Sequence, residues 1–233
     1  MPDFSTRSYE KELLDRTDIP FDDIKRNMQE LEVINARLGG HAITISGVKE
    51  ILQETRGPLS ICEIGCGGGD NLKAINDWCD KRKIAVKLTG IDINSECTGY
   101  ARENCQALKS VHFITSDYLL VDFMNGKPDI IFSSLFCHHL NDQQFIAMLR
   151  WSKRNSGYGF FINDLHRHPL AWYSIKLLSS LFSKSYLVKH DAPLSVKRGF
   201  KRKELTALLH QAGIHHYTIK WKWAFRWLIV IKN

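Results

Sequence analysis

A glycine-rich segment between an apolar run and a helical pattern constrains the fold of this chain more than any other feature. Residues 59–64 are mostly apolar and have the length of a buried strand, whereas residues 71–83 have helical spacing. Between them lie residues 65–69, with the sequence GCGGG. Glycines at such a junction let the backbone turn sharply and approach a ligand closely, and the next helix offers unpaired N–H groups. The segment therefore predicts a ligand-binding loop.

The spacing of these glycines argues against two phosphate-binding loops. A G-x-G-x-x-G fingerprint would need a glycine at position 70 or 72, where the chain has Asp70 and Leu72. A P-loop would need lysine and then serine or threonine after its last glycine, and Asp70-Asn71 supplies neither. Glu63, just before the loop, is poorly placed beside a phosphate. The sequence thus argues against both phosphate-binding interpretations.

Beyond the loop, strand-like and helix-like segments alternate along the chain. The strand-like segments are residues 85–93, 111–115, 129–135 and 158–163. The helix-like segments are residues 71–83, 95–108 and 142–151. Such alternation is typical of an α/β fold, in which helices cover both faces of a doubly wound, mostly parallel sheet.

The last third of the chain has a different pattern. Residues 169–182 and 203–212 are predicted to be helical, and residues 193–200 irregular. Two β-like runs follow, residues 216–221 and 227–232, separated near Ala224. They predict an antiparallel hairpin on the edge of the sheet.

The beginning of the chain predicts a helical cap on the same domain. Leucine and isoleucine at helical spacing predict two helices within residues 9–38, with a break at Pro20. The Gly39-Gly40 pair is expected to end the second helix, and residues 45–55 are predicted to form a third. We therefore divide the chain into an N-terminal helical cap, residues 1–56, and a ligand-binding domain, residues 57–233.

Composition narrows the class of protein without naming a partner. Of the 233 residues, 44% are hydrophobic and 24% charged, as in globular proteins and unlike disordered chains. The 32 basic and 25 acidic side chains give a net charge of +7, which favours anionic partners in general. The six cysteines form no C-x-x-C pair, so we expect reduced thiols. We find no secretory signal and no apolar run of membrane-spanning length, and we expect a cytoplasmic location.

The glycine segment and the acid before it resemble the E/D-x-G-x-G-x-G pattern of class I S-adenosylmethionine-dependent methyltransferases. The matching residues are Glu63, Gly65, Gly67 and Gly69. This resemblance implies a Rossmann-like sheet of seven strands and S-adenosyl-L-methionine as the cofactor. The cofactor is a zwitterionic nucleoside, and its amino cation suits Glu63.

Acids at the ends of the next two strands extend the resemblance. Asp92 stands about 20 residues past the loop, where one carboxylate can accept hydrogen bonds from both hydroxyls of a ribose. In the resembled family, residues at the end of the third strand contact adenine, which implies this role for Asp117 and Tyr118. The resemblance gives four further candidates for cofactor binding: Cys66, Asn71, Ile93 and Ser133.

The region after the fourth strand resembles a narrower group of methyltransferases. The step His138-His139-Leu140 is similar to that of ubiquinone/menaquinone-type enzymes. Residues 160–171 and 189–200 resemble a subset often found beside type III polyketide synthases. The resemblance implies a small acceptor that is aromatic, a quinol or derived from a polyketide. It leaves open whether oxygen or carbon is methylated.

Two histidines are candidates for removing a proton from the acceptor. His138 and His139 follow the fourth strand, at the edge where open α/β sheets bind ligands. An imidazole with a pKa near ~6.5 can accept a phenolic proton at neutral pH. The sequence does not choose between the two.

Charged residues further along the chain have two interpretations each. They are Asp164, Arg167, Asp191 and Arg198. An arginine there could bind an oxygen of the acceptor, or the four could form internal ion pairs. Asp164 also begins an alternating set with His166 and His168. Because alternate residues in an irregular loop are weak evidence for a metal site, we assign no metal.

Other functions stay open beside the small-molecule enzyme. An RNA methyltransferase that acts on C5 of a base would use a cysteine nucleophile, for which Cys137 is the candidate, although it lacks the preceding proline of that family's motif. The basic residues 197–203 and tryptophans at 221, 223 and 227 could face nucleic acid or an anionic membrane, but solvated lysines and core aromatics explain them more simply. A non-catalytic protein that binds the cofactor is a further alternative. The oligomeric state is not predicted.

Overall fold

A central sheet dominates the structure, a computed structural model that describes residues 2–16, 18–52, 58–123 and 126–233. Within these residues the sheet has seven strands in the order β3-β2-β1-β4-β5-β7-β6. They are β1 Leu59–Ile64, β2 Val86–Asp92, β3 Val111–Thr115, β4 Ile130–Ser134, β5 Gly159–Leu165, β6 Thr218–Lys222 and β7 Arg226–Lys232. The first five pair in parallel, and β7 is antiparallel to both of its neighbours. The predicted α/β fold with a C-terminal hairpin is confirmed.

Helices cover both faces of this sheet. They are α1 Phe21–Arg37, α2 Gly40–Ile51, α3 Asp70–Asp80, α4 Ser95–Asn104, α5 Asp142–Asn155, α6 Pro169–Phe182, α7 Tyr186–Arg198 and α8 Arg202–Gln211. Apolar side chains of α5 and α8 pack on one face of the sheet, and those of α2 and α3 pack on the other. Because both faces are covered, β1 and β4 are almost wholly buried and their sequences are nearly continuous apolar runs.

The two strands at the centre of the sheet fix the position of the site. β1 lies between β2 and β4. The strand order therefore reverses at β1, with β2 and β3 on one side of it and β4 and β5 on the other. Parallel α/β sheets bind ligands in the crevice that this reversal opens at the carboxyl ends of the strands. The glycine-rich loop begins there, directly after Ile64.

The predicted first helix is wrong. Within the described residues before α1, the chain forms only a short 3-10 turn, Leu13–Asp15. The backbone N–H groups of Leu13 and Leu14 donate to the carboxylate of Asp191, at 2.8 and 3.0 Å. Because Asp191 is distant in sequence, this turn depends on a tertiary contact, and no local sequence pattern could predict it.

The helices on either side of Gly39 also differ from the prediction. Gly39 adopts a φ of +78°, so the chain reverses there without an intervening loop. As a result α2 begins at Gly40 rather than at residue 45. The predicted end of this helix at residue 55 and the domain boundary at residues 56 and 57 lie outside the described residues.

The segment predicted to be irregular, residues 193–200, is mostly helical. α7 extends to Arg198 and contains Pro193 in its interior. A proline removes one helical hydrogen bond and disfavours this position. The helix persists because its apolar side chains, among them Leu187 and Val196, are buried against the rest of the molecule.

The C-terminal hairpin turns where its two strands were expected to separate. Ala224 and Phe225 both have a positive φ, 60° and 55°, which is unusual for residues other than glycine.

Among the helices that the structure describes, we find none with the length and hydropathy needed to span a bilayer.

Candidate active site

Two adjoining cavities open at the carboxyl ends of the central strands. The larger has a volume of about 630 Å³ and the smaller about 420 Å³. Both are lined by Gly65, Asp92, Ile93 and Phe136. The cavities therefore form one continuous groove that passes over the glycine-rich loop.

The glycine-rich loop needs its glycines for two different reasons. Gly65 has a φ of +68°, and a Cβ there would lie 2.4 Å from the ring of Phe136. Gly67 has a φ of +48°, and its N–H donates to Asp92 Oδ2 at 3.0 Å. Gly69, also at positive φ, precedes the first residue of α3. The backbone itself thus forms the floor of the groove.

Glu63 is an acid buried at the wall of the larger cavity. Its side chain is 1% exposed, and Oε1 accepts a hydrogen bond from Asn71 Nδ2 at 2.9 Å. Among the described residues, Oε2 has no hydrogen-bond partner. Burial, with the neighbouring charge of Asp70, raises the pKa of Glu63 well above its usual value. An unpaired acceptor at a cavity wall fits an amino group, because a cation there would stabilise the carboxylate.

Asp92 lies where the two cavities meet. Its Oδ2 accepts from Gly67 N and its Oδ1 from Asn94 N, both at 3.0 Å. Burial raises its pKa, and these backbone donors offset part of that rise. Ile93 is 75% exposed and lies on the rim of both cavities. The carboxylate is held at a place suited to a ribose.

The candidates for adenine binding lie around the smaller cavity. Asp117 and Tyr118 both line it, and Asp117 Oδ1 also accepts from Leu119 N at 3.0 Å. The ring of Tyr118 contacts those of Phe136 and Trp151 edge to face. This gives the cavity an aromatic wall with an acid beside it.

The remaining predicted cofactor residues are not all at the surface of the groove. Cys66 and Asn71 line the larger cavity. Ser133 is instead buried, with its hydroxyl 3.2 Å from Cys137 Sγ, and its neighbour Ser134 lines the cavity. Because adjacent residues of a strand face opposite sides, a one-residue difference decides which serine is accessible.

The two candidate bases occupy different environments. His139 lines the larger cavity, and its Nδ1 lies 3.0 Å from Asp15 Oδ1. His138 is only 3% exposed and lies outside the set of lining residues. Its Nδ1 is 2.8 Å from Asp164 Oδ1. Of the two, His139 is the one that an acceptor in the cavity can approach.

The charged residues of the second set form internal contacts. Arg198 Nη1 lies 3.0 Å from Asp15 Oδ2, and Arg167 Nη1 lies 3.0 Å from Glu204 Oε2. Asp164 belongs to β5 and not to an irregular loop, so its expected placement is wrong. Its carboxylate Oδ1 lies 2.8 Å from Nδ1 of His138.

The N-terminal part of the chain closes the larger cavity. Met28 and Leu31 of α1 line it, together with Leu14 and Ile19. Helix α6 lies apart and lines a separate groove against α1. In the sequence, only the apolar character of Leu14 could have indicated that it lines the cavity, because contacts with α7 fix its position.

The cysteine thiols are expected to be unreactive in this fold. All six are free and buried, as expected of reduced thiols. Burial raises the pKa of the Cys137 thiol well above its usual value, and the nearby Asp164 adds to this rise. A thiol with a raised pKa carries little thiolate at neutral pH, which argues against nucleophilic catalysis by Cys137.

Comparison with known proteins identifies part of the chain. Residues 61–155 match the family model described as a methyltransferase domain. No curated protein matches the chain.

Solved structures of methyltransferases share the fold. The plantazolicin methyltransferase BpumL in complex with SAH is 22% identical, with a TM-score of 0.64 over 88% of this chain and 76% of that chain. A SAM-dependent methyltransferase from Aquifex aeolicus is 17% identical, with a TM-score of 0.59 over 81% and 88%. Magnesium protoporphyrin IX methyltransferase (ChlM) from Synechocystis PCC 6803 with bound SAM is 15% identical, with a TM-score of 0.56 over 85% and 82%.

Proposed function

We propose that this chain, whose residues 61–155 are a methyltransferase domain, transfers a methyl group from S-adenosyl-L-methionine to a small-molecule acceptor. The chain has the fold of class I methyltransferases, and similar structures contain SAM or its product SAH. The observation that carries the proposal is that Glu63, one of whose buried carboxylate oxygens has no partner among the described residues, lines a groove that Asp92 also lines.

The residues along the groove support binding of each part of the cofactor. Glu63 would accept a hydrogen bond from the amino group, and the loop at Gly65 and Gly67 would lie against the chain that joins it to the sugar. Asp92 would accept from the ribose hydroxyls, and Asp117 with Tyr118 would contact the adenine. When bound, the cofactor supplies an electrophilic methyl group on sulfur.

The acceptor would occupy the part of the larger cavity beyond the glycine loop. Its walls there include Leu14, Ile19, Met28 and Leu31, so an acceptor with a broad apolar surface is favoured. We propose an aromatic, quinol or polyketide-derived compound, on the strength of the sequence resemblance and of this apolar lining. The plantazolicin enzyme and ChlM act on quite different molecules, so shared fold does not decide the acceptor.

Alignment and proton removal are the tasks left to the protein. Methyl transfer is an in-line displacement, which a closed cavity promotes by fixing the reacting atoms and excluding water. His139 is the candidate base because it lines the cavity, and Asp15 holds its Nδ1 so that Nε2 is left to accept a proton. His138, behind it, would act through its packing on His139, since the ring centroids are 4.4 Å apart.

Two observations weaken the RNA alternative. Arg198, within the basic stretch, is buried and bonded to Asp15, and Trp227 is buried in the core. Only Trp221 and Trp223 of the three tryptophans are exposed. Arg198 and Trp227 are therefore not available to contact RNA.

Calorimetric titration with SAM and SAH, followed by transfer of a labelled methyl group, tests the proposal. The acceptor panel contains phenols, quinols, alkylresorcinols and transfer RNA. We expect binding of both nucleosides and label only in a small molecule. Asp92→Asn is expected to weaken binding, whereas Asp122→Asn, at an exposed acid, is not. Label in RNA alone would favour the alternative enzyme, and binding without turnover of any acceptor would favour a non-catalytic protein.

A further inference from the structure

We propose that Glu12, His138 and His139 form a binding site for a divalent transition-metal ion at the wall of the larger cavity. Within the described residues, each of the three offers one ligand atom, and these atoms lie within 4.8 Å of one another. Two further carboxylates, those of Asp164 and Asp15, hold the two histidines in place. The sequence does not suggest this set, because Glu12 is more than a hundred residues away from the histidines.

The distances between the three side chains are close to those of a filled site. His138 Nε2 lies 3.7 Å from Glu12 Oε1, and His139 Nε2 lies 3.8 Å from Glu12 Oε2. With metal–ligand bonds of about 2.0–2.2 Å, neighbouring ligand atoms in a tetrahedral site are about 3.4 Å apart. The two distances to Glu12 exceed this separation by less than about half an ångström.

Each histidine is oriented as metal-bound histidines are. His138 Nδ1 lies 2.8 Å from Asp164 Oδ1, and His139 Nδ1 lies 3.0 Å from Asp15 Oδ1. A carboxylate that accepts from Nδ1–H fixes the tautomer in which Nε2 carries a free lone pair. Both Nε2 atoms then have a lone pair free within 4 Å of the Glu12 carboxylate.

The charge around the cluster also favours a cation. Glu12, Asp15 and Asp164 carry three negative charges, and Arg198, 3.9 Å from Glu12 and 3.0 Å from Asp15, supplies one positive charge. Arg7 is paired with Asp142. Acidic side chains thus outnumber the basic ones around the histidines, and a divalent ion would balance part of that excess.

The ligand set indicates the class of metal and its role. Two imidazoles and one carboxylate suit zinc, cobalt or iron(II), whereas magnesium and calcium prefer oxygen alone. His139 and Asp15 line the larger cavity, so the ion would stand beside the acceptor. There it could bind an acceptor hydroxyl and lower its pKa. The ion would then replace His139 as the group that activates the acceptor.

Cobalt(II) titration of the chelator-treated protein, without SAM or acceptor, tests the site by its visible absorption, with metal content measured by mass spectrometry. We expect one ion per chain and displacement by zinc. Glu12→Gln and His139→Gln should each weaken binding by roughly 100-fold, because loss of even an outer-shell partner lowers affinity about 10–100-fold. The control is His210→Gln with His215→Gln, a pair with ring centroids 5.3 Å apart on the exposed surface.

The outcomes are separable from those of the proposed function. Absence of cobalt bands in the wild-type protein, or equal binding by Glu12→Gln and His139→Gln, would overturn the metal site. Loss of binding in the His210 and His215 variant would do the same, since it would locate the ion at the surface. None of these results depends on SAM binding. Circular dichroism of each variant establishes that a loss reflects missing ligands rather than unfolding.

Discussion

Replacing Gly65 by alanine tests how the glycine-rich loop is built. Gly65 adopts a φ of +68°, which an L-residue with a Cβ occupies at a cost of about 1–2 kcal/mol. The new Cβ would also lie 2.4 Å from Phe136 Cδ2, well inside a normal carbon–carbon contact of about 3.5–4.0 Å. Displacing a packed ring typically costs about 1–3 kcal/mol. Together these effects predict a loss of about 2–5 kcal/mol in the free energy of unfolding.

Two other glycines separate strain from steric conflict. Gly213 has a φ of +78°, and among the described residues nothing lies within 4 Å of a Cβ placed there. Its alanine variant should lose only the strain, about 1–2 kcal/mol. Gly99 lies within α4 at an ordinary helical φ with similar open space. Alanine there should stabilise the protein by roughly 0.5–1 kcal/mol.

Urea denaturation of the three variants gives the order of stabilities, and SAM titration gives a second measurement. Since Phe136 lines both cavities, its displacement in Gly65→Ala should also weaken SAM binding. The variants at Gly213 and Gly99 should bind normally. If Gly65→Ala were as stable as Gly213→Ala, the contact with Phe136 would not restrict this position, and the account of the loop would fail.

Three further predictions concern charge and thiols. Glu63→Gln should weaken SAM binding by roughly 10–100-fold, because a hydrogen bond to a charged group contributes about 1.5–3 kcal/mol. In calorimetry this variant should bind methylthioadenosine nearly as the wild type does, because that compound lacks the amino acid part of SAM. Although burial raises the pKa of Glu204, its hydrogen bonds from Arg167 lower that pKa overall, so the pair stabilises the protein at neutral pH and loses its effect as acid protonates Glu204. Thermal melts from pH 7 down to pH 3 should show a smaller loss of stability for Glu204→Gln than for the wild type. All six cysteines are buried, so a thiol reagent should modify the native protein only slowly and the unfolded protein completely.

The strands of the sheet could be predicted from the sequence because each has a local pattern. β1 and β3 match their predicted bounds. β1 is a short, mostly apolar run that is buried in the sheet and followed by glycines, whereas β3 is a half-exposed edge strand rich in β-branched residues. The turn at Leu13 and the helix through Pro193 could not be predicted. Both depend on contacts between segments far apart, such as the bonds from Leu13 N to Asp191, which no local pattern contains.

The residues of the candidate site also differ in whether local sequence patterns predict them. The glycine loop and Asp92 were found from spacing, because a strand followed by a turn and a helix places them at one edge of the sheet. The partners of the histidines were not found. His138 and His139 are adjacent in sequence, yet Asp164 holds one and Asp15 the other, and these acids belong to a strand and to the N-terminal turn.

The two sides of the site depend on different parts of the chain. The residues proposed to bind the cofactor belong to loops that follow consecutive strands, and their positions are fixed by the core of the sheet. The proposed acceptor side depends on residues 7–16, which the side chains of Asp191 and Arg198 in α7 hold against the turn at 137–139. Substitutions in α7 can therefore move the N-terminal wall and the Glu12 carboxylate together while the loop at Gly65 stays in place. Acceptor selection and metal binding should accordingly respond to the same substitutions, and SAM binding should not.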